Sequence, residues 1–186
     1  LIGRVVGVAI LCSSCAAPPL ATYTLATSQS APVTTPLGQT PIVIAIARVV
    51  IPDELDNEDI QLRSGNMLNG SANGRWASRL SIEITERITA RLSERRPDAL
   101  VTSRPQSQTP SYRISINIAR LDVTTNGHAA LEADWVIFPA NPTNPARRNR
   151  VAFSIDGPVA TDRDVVRLEG VAVDRLSQSI DVGGLD

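Results

Sequence analysis

Residues 112–137 read YRISINIARLDVTTNGHAALEADWVI, and the periodicity of this stretch decides the fold. Tyr112, Ile114, Ile116 and Ile118 alternate with Arg113, Ser115 and Asn117. A period of two puts one row of side chains into a core and the other into water, the pattern of a half-buried strand. Beyond Ala119 the phase reverses and Leu121 and Val123 become the apolar positions. That one-residue slip predicts a bulge near Ile118-Ala119. Asn126-Gly127 is a hairpin signal, since both residue types accept positive φ. Leu131, Ala133, Trp135 and Ile137 then alternate with Glu132 and Asp134, giving a second, antiparallel strand. After a Pro- and Asn-rich loop over residues 139–149, Val151, Phe153 and Ile155 supply a third.

Upstream, residues 42–51 are apolar at nearly every position and rich in β-branched side chains. A run without alternation suits a strand covered on both faces, hence an interior one, and Pro52 marks its end. Short strands are expected at residues 60–62 and 67–68, the second closed by Asn69-Gly70. Past Trp76 the period changes: Leu80, Ile84, Ile88 and Leu92 recur every four residues, predicting a helix. Ser78 is its expected N-cap, Glu83 and Arg87 its i,i+4 pair, and Pro97 its stop. A strand follows at residues 99–103. Thr161 with Asp164 three residues on forms a capping box for a second helix that turns Val165, Leu168, Ala172, Leu176 and Ile180 inward and ends at Gly183-Gly184. The expected fold is α/β: a single mixed β-sheet of six or seven strands with two amphipathic helices packed on it.

Composition narrows the chemistry. The 186 residues, 42% hydrophobic, suit one domain and an appendage. Basic and acidic residues number 18 and 19, and no run collects the basic ones, so no nucleic-acid partner is expected. All the basic residues are arginine, which removes Schiff-base and Walker-type lysine chemistry. The one histidine, His128, follows a turn glycine and reads as a surface residue. Both cysteines, Cys12 and Cys15, precede the folded body, which therefore has neither disulfide nor zinc knuckle. Gly65 and Gly70 bracket no phosphate-loop lysine, and no cofactor is expected.

At the N-terminus Arg4 precedes an apolar run of seven residues, 5–11, then small residues around Cys12 and Cys15 and then Pro18-Pro19. A bilayer crossing needs about 20 apolar residues, so residues 1–14 are expected to be a secretory signal peptide. Small residues directly before Cys15 resemble a lipobox, with Cys12 where an aliphatic residue is usual, making this thiol the expected acylation site, with chains such as palmitate; the alternative is an ordinary signal peptide with two incidental cysteines. Ala16 is not the aspartate that retains such proteins at the inner membrane, which favours the outer one. Residues 15–41, rich in Pro, Ser and Thr, are expected to tether a domain at 42–182, with Tyr23-Thr24-Leu25 able to pair as a short edge strand.

Several motifs, in order, resemble one family. They are the lipobox, Tyr23-Thr24-Leu25, Val49-Val50-Ile51-Pro52-Asp53-Glu54-Leu55-Asp56, Trp76-Ala77-Ser78-Arg79-Leu80 and Leu131-Glu132-Ala133-Asp134-Trp135. Together they are similar to the ABC-type transport auxiliary lipoproteins of the PqiC type. Arg79 stands where that family usually has proline, and Leu121-Asp122 where it tends to have Phe-Asp. The resemblance implies a non-catalytic outer-membrane lipoprotein, facing the periplasm and important for membrane integrity. It would work with an MCE-domain protein, an ABC permease and an ATPase in lipid transport between membranes. A homo-oligomer is compatible with it. An envelope scaffold or assembly lipoprotein unrelated to lipid transport would share the anchor and tether without that partner.

Among candidate site residues, Cys15 carries the anchor. Trp76, Leu80 and Trp135 are read as structural, because a tryptophan heading an amphipathic helix or alternating inward along a strand is a core residue. Arg147, Arg148 and Arg150 are read as a loop cluster for a partner's carboxylates or lipid headgroups. Asp53, Glu54, Asp56, Glu58 and Asp59 lack the spacing of a calcium loop and read as a solvated acidic turn. Glu132 and Asp134, the one carboxylate pair a hydrolase reading offers, lie on the expected solvent face of their strand.

Overall fold

The computed structural model describes residues 19–25 and 42–185. The alternating segment forms the longest hairpin, β6 (Tyr112–Val123) and β7 (His128–Pro139), extended by β8 (Arg147–Asp156). Ahead of them come β1 (Ala21–Tyr23), β2 (Ile42–Ile46), β3 (Asp59–Ser64), β4 (Met67–Trp76), α1 (Leu80–Arg95) and β5 (Ala99–Thr102), and α2 (Asp162–Ser179) follows. The register shifts between Ile118 and Arg120, where the phase of the sequence reverses. Gly127 takes φ 81° in the turn, and a Cβ there would lie 2.2 Å from the Gly157 carbonyl oxygen. Only glycine meets both demands.

The expected single sheet of six or seven strands is corrected: the strands divide into a five-stranded sheet, β5-β2-β6-β7-β8, and a three-stranded one, β1-β4-β3. The division begins where the apolar run 42–51 stops being a strand, after Ile46. There Ser81 and Thr85 of α1 draw the chain aside: Arg48 Nε donates to Ser81 Oγ (3.0 Å) and the Val49 amide to Thr85 Oγ1 (2.9 Å). Val50 rejoins β6 at a single bridge, and a turn at Pro52 sends the chain away. The expected short strand at 67–68 runs on through Asn69-Gly70 to Trp76, because β3 and β1 hydrogen-bond its two edges.

Both helices pack on one face of the larger sheet. Ile114, Ile116 and Ile118 lie opposite Ile137, Trp135 and Ala133, all buried, under Ile84, Ile88 and Leu92 of α1 and Val173 and Leu176 of α2. Each such aliphatic side chain, fully buried, contributes about 1.5–3 kcal/mol. The capping box forms at Thr161 and Asp164 as its spacing predicts. At α1 the cap differs from expectation: Arg79 is the N-cap residue and makes no side-chain cap bond. Its exposed amides are taken by the acidic turn, Leu80 N–H by the Asn57 carbonyl (3.1 Å) and Ser81 N–H by Asp56 Oδ1 (3.3 Å). Ser78 donates instead to Glu83 (2.8 Å).

The helices are joined by Asp174 of α2, which accepts two bonds from Arg87 (2.7 and 2.8 Å) and two from Arg91 (2.9 and 3.0 Å). Burial on its own would raise this carboxyl, but the two guanidinium groups outweigh it and hold Asp174 below its ordinary value. Gly170 makes room for the pair, since a Cβ there would stand 3.1 Å from Arg87 Nη2. Residues 19–25 belong to the same body: β1 lies parallel to β4, and Leu25 is only 1% exposed. The Glu83 carboxylate accepts from Thr24 Oγ1 (2.7 Å) and the Leu25 amide (2.9 Å), while Arg87 donates to the Leu25 carbonyl.

Candidate functional site

With both helices on one side, the other side of the five-stranded sheet is left uncovered by the described residues. Its composition follows from register. One row across the strands is Thr102, Ala45, Arg113 and Phe138. The next is Ser115, Val136 and Arg148, and the third is Val50, Asn117, Asp134 and Arg150. Val50 is 58% and Phe138 41% exposed. Exposed apolar groups set among cations are the composition of a recognition surface rather than of a plain solvated face.

Arg147, Arg148 and Arg150 are not in a loop. They open the edge strand β8, which begins at Arg147. The strand forms there because β7 is long enough to pair with it to the end, Ile137 with Arg147, Val136 with Arg148 and Asp134 with Arg150. Side chains alternate, so Arg148 and Arg150 stand on the open face and Arg147 on the helix side. Arg147 there borders a hollow of about 370 Å³ with Trp135, Asn149 and Asp181. Among the described residues none of the three guanidinium groups has a hydrogen bond or ion pair. Like charges two residues apart repel, and the fold offsets this only by leaving them in water.

The other expected site residues sit as follows. Cys15 and the proposed signal peptide 1–14 lie outside the described residues. Trp76, Leu80 and Trp135 are 2%, 4% and 3% exposed. The Trp76 indole N–H is buried and has no partner among the described residues. Glu132 and Asp134 share the open face, but Asp134 accepts from Asn117 (3.1 Å) and Glu132 faces Arg120 at 3.6 Å. The acidic turn serves the α1 terminus, and Asp59 pairs with Arg75 (3.1 Å). Among the described residues no group of three metal-ligating side chains comes together. His128 Nδ1 meets Asp156 Oδ1 at 2.8 Å, pairing the far ends of β7 and β8.

Register brings Arg113, Val136, Phe138 and Val50 to the open face beside the arginines, and sequence reasoning did not single them out. The alternation around Ile114 and Ile137 implies that face, but the pairing is needed to show that they adjoin. Glu169 was missed too. It sits on α2, fully buried, with Oε2 unpaired among the described residues, and burial pushes its carboxyl up to about 8. Its position, four residues after Val165 and three before Ala172, lies on the apolar stripe and was a readable signal. Across a small void it faces Gln61, whose Oε1 is likewise buried without a partner among the described residues.

Comparison with known proteins agrees with this architecture. No curated protein matches the chain. A crystal structure of an uncharacterized protein superposes with a TM-score of 0.69 at 15% identity, covering 87% of this chain and 95% of that one. A second, of a DUF330-family protein from Xanthomonas campestris, gives 0.56 at 15% identity over 79% and 86%. At these identities the likeness is one of fold. The family model described as ABC-type transport auxiliary lipoprotein component matches residues 23–181, from β1 to just past the end of α2, and the chain belongs to that family.

Proposed function

We propose that this chain is a non-catalytic, lipid-anchored subunit of an MCE/ABC-type intermembrane lipid transport system, held at the periplasmic side of the outer membrane by Cys15. Its uncovered sheet face docks an MCE-domain protein. The observation that carries this reading is the face itself: Arg148 and Arg150, without partners among the described residues, stand beside half-exposed Val136 and exposed Phe138. Unpaired guanidinium groups donate bidentately to carboxylates, and adjacent apolar side chains supply the area that excludes water around them. Arginines on an edge strand also block unwanted strand addition, a role compatible with docking. Membership of a transport auxiliary family supports a place beside a permease and an ATPase. Acylation of Cys15 supplies the anchor, and the three chains of a mature lipoprotein hold where one would dissociate.

The test is affinity purification of the tagged full-length protein from detergent-solubilised membranes, with mass spectrometry of partners and of the N-terminal peptide. The natural protein is expected to bring down an MCE-domain protein with its permease and ATPase and to carry an acylated Cys15. Arg148→Glu with Arg150→Glu is expected to lose those partners and keep the acyl group. An acylated Cys15 without such partners would sink the transport reading.

A further inference from the structure

A second cationic feature lies at the other end of the sheet. Where β2 and β5 end side by side in parallel, the loop after β5 curls over them and leaves a groove of about 320 Å³. This volume is in the range of small-ligand sites, and the carboxyl ends of parallel strands are where open α/β sheets place them. Among the described residues three arginines line it, Arg48, Arg104 and Arg113, and no acidic residue does. Arg48 is held in place through its Nε by Ser81 Oγ at 3.0 Å, and its two Nη groups have no partner among the described residues. The side chains of Arg104 and Arg113 have no hydrogen bond or ion pair among the described residues.

We propose that this groove binds the phosphate of an anionic glycerophospholipid. Three arginines lining one groove, with no carboxylate among its described lining residues, call for an anion that accepts several hydrogen bonds at once, and phosphate fits the fork geometry of guanidinium. The surroundings favour an amphiphile over a bare ion. Gln106 and Gln108 offer amides to the headgroup hydroxyls, and Pro105 and Pro110 give the groove apolar walls. Arg113 leads out of the groove onto Phe138, its cross-strand neighbour, which is 41% exposed. The charged end of a lipid thus sits among the arginines while its glycerol and first methylenes follow the apolar row. The proposal rests on the groove and on Phe138 beside it; Arg113 and Phe138 also belong to the open face, but the groove needs no bound partner protein to take the lipid.

The test is a chemical-shift titration of the full-length protein in neutral detergent micelles with dihexanoylphosphatidylglycerol, glycerol 3-phosphate, dihexanoylphosphatidylcholine and an acidic peptide. The phosphatidylglycerol probe is expected to shift amides of residues 45–48 and 102–108 saturably. Arg104→Gln and Arg113→Gln should each weaken it about tenfold or more, the loss of one charge-assisted contact. Arg163→Gln, an exposed arginine on α2, should leave it unchanged, and all three variants should melt like the natural protein. A response to both phosphatidylglycerol and glycerol 3-phosphate of equal strength supports the phosphate site and assigns it to a free phosphate ester. Equal weakening by Arg163→Gln, equal binding of the zwitterionic lipid, or a response to the acidic peptide alone overturns the proposal.

Discussion

Replacing Glu169 by glutamine is expected to change the pH dependence of folding. The natural carboxyl is fully buried on α2 and is pushed up to about 8 from an ordinary value of 4.5. In the unfolded chain it releases its proton near its ordinary value of 4.5, while the native protein keeps it neutral to about pH 8. Between these limits the native state binds more protons than the unfolded one, so stability falls as pH rises. The slope is about 1.4 kcal/mol per pH unit, flattening below pH 4 and above pH 8. By pH 7 the accumulated cost is about 3 kcal/mol, which glutamine, never charged, does not incur. Urea unfolding of both proteins at pH 5, 6, 7 and 8, in neutral detergent, measures it. The stability of the variant relative to the natural protein should grow from about 1 kcal/mol at pH 5 to about 4 at pH 8. The slope carries the test, because the amide brings its own N–H groups to be satisfied and these shift all pH values equally. Parallel curves would show that the carboxylate is already ionised at neutral pH, and would refute the reasoning.

Asp174→Asn strips the charge that Arg87 and Arg91 share and leaves these two neighbouring cations of α1 without their common counter-charge from α2. A loss of about 3 kcal/mol is expected in chemical denaturation at pH 7, shrinking as pH falls below about 4, where the natural carboxylate itself is protonated. Gly127→Ala drives a Cβ into the Gly157 carbonyl and strains a positive φ. Its cost should exceed the ~1 kcal/mol of a simple glycine replacement, read as a fall in melting temperature, with line broadening at the β6–β7 turn in NMR spectra.

What could be read in the sequence was local. The four-residue recurrence of Leu80, Ile84, Ile88 and Leu92, the Thr161–Asp164 box, the Asn126-Gly127 turn and the phase slip after Ile118 each involve residues within a turn or two of one another, where backbone geometry alone dictates the outcome. The early end of β2 was hidden because, past Ile46, the Arg48 guanidinium and the Val49 amide turn to the hydroxyls of Ser81 and Thr85, more than thirty residues further along the chain. β4 was hidden for a related reason. Met67–Trp76 has apolar residues on neither helical nor strand period, and it is extended by partners on both sides, one of them β1, far back in the chain. Arg147, Arg148 and Arg150 looked like a loop since nothing in residues 147–150 alternates, although the strand exists through the length of β7. For the candidate face, strand alternation foretold which side chains pointed outward. Only the pairing of strands revealed which of them are neighbours.

The way Leu25 is seated gives the molecule a mechanical property. The chain ahead of Ala21 enters the body through three paired residues of β1 lying along β4, and just behind them Leu25 is plugged between Glu83 and Arg87. A pull on that leading segment along the strand direction loads the ladder in shear, so its hydrogen bonds must give way together instead of peeling one at a time. If the leader is fastened to a membrane, the point of traction is therefore the seam where β1 lies along β4 and Leu25 meets Glu83 and Arg87 of α1.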